Sequence, residues 1–486
     1  MTTPLPDRPL LRRHHRPWPM EGEVRDLVVT QGSIPDDLDG SLYRIGPNLR
    51  YAPLSGRYNG WMGDGMIHAL TVVDRKAHYR NRWVRTPKWL AEDRAGRAVF
   101  DYVLPQQSLL AIGMEVTRAN RESNGVAQGA CNTSVTLHGD ELLAWGEGQS
   151  TPIVVDARTL DTKGPPAWTK SLPRSMTARV DEYGYGGGHP RVCPTTGEVL
   201  FTTIDVEPPY VTVHVLDPTT GALASIPVDS PHPSYIHDFM ITAEHAVLVV
   251  SPITMSQERV LTGHGLMAWE PDLGTHVAVV ARDGDTVCWF EADANFYDLH
   301  PMNAFGEDGR VVLDAPEFPI APVPMEGVDP WQQFDGLTSR LVRYDLDLDR
   351  RRMKRMPLDD RNMELPQCDR RRQGLRYRFG YGLCNERDLD DYNFDAVIRY
   401  DLERGTAVTH RFAEGDSVSE PLFVPGAGSA GEDDGYVFVY VWHPAEDRSD
   451  AVFLNAAALD SEPVVTIALP HRVPFTAHGW WGEGIV

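Results

Sequence analysis

Apolar positions in this chain seldom recur at helical spacing; they fall in short runs of β-branched and aromatic residues that stop at Asp, Gly or Pro. One unit repeats: an apolar strand, an Asp or Asn with turn residues, then a second strand. It reads LTVVDRKAHYR from Leu70, IVVDARTLDTKG from Ile153, VHVLDPTTGAL from Val213, VAVVARDGDTVCWF from Val277, LVRYDLDLDRR from Leu341, VIRYDLERGTAV from Val397 and VFLNAAALDSEP from Val452. The seven starts lie 83, 60, 64, 64, 56 and 55 residues apart, and each interval has room for two further strands. Four strands repeated seven times predict an all-β fold, a seven-bladed β-propeller, in which radial repetition protects the sheet edges. The pattern predicts one propeller domain over residues 1–486. Only the long first interval breaks the rhythm. It holds WVRTPKWLAEDRAGRAVFDYVLPQQSLLAIGMEV, rich in Trp, Leu, Phe and Met and poor in turn residues, which predicts a helical cap over one face, inserted at roughly 84–116.

Composition narrows the function classes. The chain carries 69 acidic against 46 basic side chains, a formal net charge of −23. Such a surface repels phosphate backbones, so nucleic acid is excluded as a partner. No stretch approaches the roughly 20 apolar residues of a spanning helix, and the basic RPLLRRHHRPWP near the start has no apolar region behind it, so neither a membrane span nor a secretion signal is expected. Five scattered cysteines without a CxxC pair argue against a disulfide framework or a thiolate metal site, and the cytoplasm is the expected location. There the NTS sequon at Asn132 carries no meaning. The apolar YVLPQQSLLAIGM of the cap is expected to pack on the propeller, with a peripheral membrane contact through it as the alternative. No obligate protein partner is evident.

The usual catalytic signatures are missing: there is no GxSxG elbow, no P-loop and no HExxH, and DLDLDR lacks the Gly and closing Glu of a calcium loop. That leaves the histidines. His14 and His15 in a basic tail, and His78, His138, His214, His245 and His410 beside turns or in alternating strands, are expected to be solvated; His68 is expected to pack or hydrogen-bond within a strand. Four others share a different setting: His189 in YGGGHPRV, His237 in PSYIHDFMI, His300 in NFYDLHPMNAF and His478 in PFTAHGWW, each with aromatic or small neighbours between repeat hairpins. The gaps are used in order. Glu147 lies in the first, His189 in the second, His237 in the third, His300 in the fourth, Glu364 in the fifth and Glu420 in the sixth, and His478 follows the last hairpin. Because the innermost strands of propeller blades converge on one axis, these seven residues are expected around a single point. Four neutral imidazoles suit a borderline divalent metal such as iron, zinc or copper. Carboxylates beside them would accept the outer N–H of each ring and offset the charge of the ion.

At these residues the sequence resembles the carotenoid cleavage oxygenase family, which also includes retinal-forming, stilbene-cleaving and isomerase members. The resemblance runs nearly end to end, through IPDDLDGSLYRIGPN, GWMGDGMIHAL, GHPRVCPTTGEVLF, YIHDFMIT, LHPMNAFGEDG, MELPQCD, VSEPLFVP followed by EDDGYVFVYV, and LPHRVPFTAHGWW. It implies a capped seven-bladed propeller with one non-haem Fe(II) per chain, held on the axis by His189, His237, His300 and His478. Glu147, Glu364 and Glu420 would then orient His237, His300 and His478 respectively. It also implies a dioxygenase that uses dioxygen to split a conjugated C=C bond of a small apolar alkene, a carotenoid or apocarotenoid, into carbonyl products.

Two departures from the family pattern bear on substrate. YGYGGGHP stands where many members carry Thr-Ala-His, so an open or flexible wall is expected beside His189. Gly146 stands where the stilbene-cleaving branch places a lysine that holds the substrate phenolate. That favours an apolar polyene over a hydroxystilbene, with Tyr102 as another group able to bind a phenol. A stilbenoid or phenylpropanoid alkene is the alternative substrate. An iron-bearing isomerase or hydrolase-like member is a second alternative activity, and a metal-free interaction scaffold is the alternative of a different class. His478 is expected to be the last metal ligand, with Trp480 and Trp481 packing the wall beside it.

Overall fold

The computed structural model describes residues 14–485 apart from 53–60, 62, 101–128, 148–150, 173–184, 257, 260, 261, 263, 324, 326–335 and 386–392. The described strands form seven antiparallel sheets of four to six strands, plus a two-stranded ribbon of Ile253–Met255 with Met267–Trp269. In chain order the sheets are the blades of a propeller. Blade 1 is built on Gly40–Pro47, Gly65–Val73 and Lys76–Trp83. Blade 2 runs from Ser134–His138 to Thr162–Gly164 and blade 3 from Tyr185–Gly186 to Leu223–Val228. Blade 4 runs from Met240–Ile241 to Val287–Glu291 and blade 5 from Tyr297–Asp298 to Arg352–Pro357. Blade 6 runs from Asn362–Cys368 to Thr406–Arg411 and blade 7 from Ser417–Val418 to Val465–Ala468. Each of the seven hairpins read from the sequence supplies two neighbouring strands of a different blade.

Apolar runs rather than strict alternation mark these strands because both faces of a blade are covered. In His245–Val250, Val247 and Val249 join Val311, Leu313, Val342 and Tyr344 of blade 5. The intervening Ala246, Leu248 and Val250 join Val211, Val213 and Val215 of blade 3. One strand thus glues two neighbours together through its period of two.

Both chain ends close the ring. Gly479–Glu483 pairs antiparallel with Gly40–Pro47, setting Trp481 opposite Leu42, so the last strand belongs to the first blade. Val29–Gly32 pairs with Val465–Ala468, so an early strand completes the last blade. Trp481 is buried with Leu42, Leu70, Phe438, Phe453 and Ile467, which makes it part of the seam between blades 7 and 1 rather than a wall of the axial site.

The tail reading of His14 and His15 needs correction. His14 stacks on Trp442 at 5.1 Å and His15 on Phe475 at 4.4 Å, and the Phe475 N–H donates to the His14 carbonyl at 3.0 Å. The early segment therefore pins the chain three residues before His478. His214, expected in solvent, is 1% exposed and bridges Thr203 and Ser225 with its two ring nitrogens, both at 2.9 Å. His68 lies buried in its strand with Nδ1 2.6 Å from the Tyr79 hydroxyl.

The helical cap shrinks to one helix among the described residues. Pro87–Ala95 starts at an N-cap Thr86, whose hydroxyl accepts from the Trp89 N–H at 3.1 Å, and ends at Gly96 with φ 64°. Trp89 packs on Met66 and Trp83, and Lys88 is buried between Asp64 at 2.7 Å and Glu92 at 2.8 Å. These contacts tie the helix to blade 1. Tyr102 and the YVLPQQSLLAIGM segment lie outside the described residues. No described helix is long and apolar enough to cross a membrane.

Closure by the last strand makes a direct prediction. Trp481→Ala removes a buried indole from the blade 7–blade 1 seam and is expected to cost about 3–5 kcal/mol. Urea unfolding at unchanged slope reads this as a lowered midpoint; a midpoint equal to that of the parent chain would show that the seam does not hold the ring.

Candidate metal centre

The inner strands of the blades do not run straight through the axis. They break there, and proline marks the breaks. His189-Pro190 separates Tyr185–Gly186 from Arg191–Val192, and His300-Pro301 separates Tyr297–Asp298 from Asn303–Glu307. Glu420-Pro421 likewise separates Ser417–Val418 from Leu422–Pro425. In Asn362–Cys368 the register slips between Glu364 and Gln367, with Leu365 at φ 50° and Pro366 next. A proline has no N–H for the ladder, so pairing stops and the preceding side chain is released toward the axis. His478 is placed differently: its N–H donates to Thr133 O at 3.2 Å and its carbonyl accepts from Ile45 N–H at 3.0 Å, just before the closing strand.

These breaks bring all four histidines together. The His189 ring centroid lies 4.3 Å from that of His237, 5.3 Å from His300 and 4.8 Å from His478. His300 is 5.0 Å from both His237 and His478. Ligating atoms of His189, His237 and His300 all lie within 4.8 Å of one another. His478 joins by ring proximity and completes the circle from blade 1.

Carboxylates sit behind three of the rings. Nδ1 of His237 donates to Glu147 at 2.5 Å, that of His300 to Glu364 at 2.6 Å and that of His478 to Glu420 at 2.7 Å. A carboxylate only accepts, so each bond fixes the proton on Nδ1 and leaves Nε2 as a bare lone pair. The carboxylates are themselves held. Glu420 also accepts from buried Arg44 and from Gln367, both at 2.6 Å, Glu364 from the Leu365 N–H at 2.5 Å, and Glu147 from the Tyr235 hydroxyl at 3.0 Å. Burial would raise the Glu147 carboxyl, but His237 and His189 outweigh it and hold it well below the usual carboxylate range. Glu420 is held down to about 2 by His478 and Arg44 against the same burial. Burial pushes His189 down to about 3 and also lowers His478. His237 is raised, because Glu147 overcomes its burial.

Such a set fits a divalent cation. Nε2 of His189 is buried without a hydrogen-bond partner among the described residues. Nε2 of His237 and of His300 lie 3.1 Å apart, so in the neutral tautomers that the glutamates favour two lone pairs face each other. Facing lone pairs repel unless something positive lies between them.

Gly187 and Gly188, directly before His189, do not make an open wall. Gly188 is buried, and a Cβ there would come within 2.7 Å of Glu147 Cγ and 2.8 Å of Thr133 Cγ2. Glycine permits close approach of the His189 strand to the Glu147 side chain. Sequence reading also missed Arg44, Tyr235, Asp238 and Asp298. Buried Asp298 is pushed up to about 8 by its burial and by the charge of Asp238. The only signal for Arg44 was a lone cation inside an apolar strand, and for Asp238 its place directly after His237.

The retinal pigment epithelial membrane protein family model matches residues 16–483. The chain belongs to this carotenoid cleavage oxygenase family. It is 29% identical over 465 residues to the apocarotenoid-15,15'-oxygenase of Synechocystis, spanning 93% of this chain and 92% of that protein. It is 28% identical to the isoeugenol monooxygenase of Pseudomonas nitroreducens, with 96% of each covered. The crystal structure of the Pseudomonas brassicacearum lignostilbene dioxygenase superposes with a TM-score of 0.87 at 28% identity, covering 99% of this chain and all of that one. The relatives are oxygenases, and the family is non-haem iron dependent.

In this setting Glu364→Gln keeps the shape behind His300 and removes the charge. The variant is expected to retain iron but to bind it some 10–100-fold more weakly. Competition with a calibrated chelator measures the loss; an affinity equal to that of the parent chain would remove Glu364 from the metal centre.

Proposed function

We propose that this protein is a non-haem iron dioxygenase that cleaves a conjugated C=C bond to two carbonyl products, with one Fe(II) held by His189, His237, His300 and His478. The observation that carries the reading is the convergence of four imidazoles from four blades, three of them hydrogen-bonded through Nδ1 to a carboxylate. When bound, the iron supplies the redox chemistry that lets dioxygen react with an alkene. The rest falls to the protein. Glu147, Glu364 and Glu420 fix the tautomers and raise the basicity of their imidazoles. Their negative charge, with Arg44 paired to Glu420, balances a divalent ion among neutral ligands. Four histidine ligands would leave a bound ion room to take up dioxygen, as oxygen activation requires. No protein acid or base is needed for the cleavage itself, so selectivity rests on how the apolar substrate is positioned beside the ion. Phe475 and Leu365, close in sequence to His478 and Glu364, are buried in an apolar cluster.

The substrate we place first is a carotenoid or apocarotenoid polyene, since Gly146 offers no cation for a phenolate. A hydroxylated aryl alkene is the second reading. It is favoured by the likeness to the lignostilbene dioxygenase.

Incubation of iron-loaded protein under ¹⁸O₂ with a panel of apocarotenals and hydroxystilbenes decides between them. Labelled aldehydes from the polyenes are expected, and His300→Ala is expected to lose both iron and turnover. Labelled aldehydes from the stilbenes alone would select the second substrate class. Rearranged products without label would make the protein an isomerase, and an absence of any turnover by iron-loaded protein would contradict the reading.

A further inference from the structure

We infer that Asp238 is the carboxylate partner of His189, and that Arg191 is the positioning residue that aims it. The inference rests on the four-histidine metal reading and extends it to the one ring whose Nδ1 no glutamate takes; Glu147 lies 3.6 Å from Nε2 of His189 but is engaged by Nδ1 of His237 at 2.5 Å. Nδ1 of His189 lies 3.7 Å from Asp238 Oδ2. That is just beyond direct hydrogen-bond reach, and a shift of a few tenths of an ångström closes it. Room for that shift exists. A polar cavity of about 30 Å³ touches both side chains, and since His300, Glu420 and His478 line it with His189, Arg191 and Asp238, it is continuous with the axial site.

Asp238 is held for this task from several sides. The chain that turns His237 toward the axis sends the next side chain, buried at 2% exposure, to the neighbouring ring. Its Oδ1 accepts from the Phe239 N–H at 2.6 Å, and its Oδ2 takes the Arg191 guanidinium. Arg191 is fixed in turn, donating through Nε to the Phe239 carbonyl at 2.8 Å. Burying a carboxylate costs free energy unless it is paired, and this one is paired with Oδ2 still turned to the imidazole. Without it, His189 is free to carry its proton on either nitrogen. With it, the proton sits on Nδ1, and the buried Nε2, which makes no hydrogen bond among the described residues, keeps its lone pair.

A plain ion pair joining blades 3 and 4 would also use Arg191 and Asp238, and metal spectroscopy separates the two roles. Metal-free protein is titrated with Co(II), whose visible absorption reports affinity and ligand geometry together, and the melting temperature of the metal-free form is recorded beside it. Asp238→Asn is expected to weaken Co(II) binding roughly tenfold or more and to shift the absorption envelope; Asp238→Glu is expected to recover part of both. Arg191→Gln, which keeps the carboxylate but frees it, is expected to move the spectrum in the same direction with a smaller loss. If the variants melt earlier yet keep the affinity and spectrum of the parent chain, Asp238 is only structural and the inference is overturned. Should Asp238→Asn fail to fold, Arg191→Gln decides alone by the same criterion. A parent chain that binds no Co(II) refutes the four-histidine reading instead, which keeps the two failures apart.

Discussion

Four imidazoles can share one axis only if their lone pairs are turned inward and held there. The hydrogen bonds from Nδ1 to Glu147, Glu364 and Glu420 impose that orientation, and the rest of the site follows from it. Each bond makes its ring a strong donor at Nε2 and a poor neighbour for the next ring, a conflict that a divalent cation resolves. The carboxylates need support of their own, since a buried charge left unpaired is costly. Arg44 and Gln367 supply it for Glu420, and Tyr235 for Glu147.

A propeller is suited to this task because every blade sends one strand to the same line. The inner strands would fill that line with ordinary ladders if they ran unbroken. Proline after His189, His300 and Glu420, and the register slip at Glu364, stop the ladders at the axis and free the side chains. The ring must stay closed for the arrangement to hold, because His478 arrives with the last strand. That strand is locked into blade 1, and the preceding Phe475 is clamped by His14 and His15. The four-histidine cluster and ring closure are therefore mechanically joined.

Much of this was legible in one dimension. A strand–turn–strand unit is a local signal, so the hairpins beginning at Leu70, Ile153 and the five later starts could be counted. Residues with ligand chemistry stood out because they fell one to each gap. Other features depend on contacts between distant segments. His214 looks like any strand histidine until Thr203 and Ser225 are brought to its two nitrogens. Gly188 suggests flexibility in sequence, whereas the folded chain uses it to let Glu147 and Thr133 come close. Apolar content after Trp83 suggested helices over one face, and among the described residues one short helix there is held on blade 1 by Trp89 against Met66 and Trp83.

The central claim is that one metal ion sits on the propeller axis with four histidine nitrogens as its protein ligands. Diffraction from crystals of the iron-loaded protein, recorded on both sides of the iron absorption edge, tests it most directly. The account predicts one anomalous peak per chain, about 2 Å from Nε2 of His189, His237, His300 and His478, with Glu147, Glu364 and Glu420 outside bonding distance. A peak bonded to a glutamate oxygen, lacking one of the four histidines, or absent from the axis would contradict it.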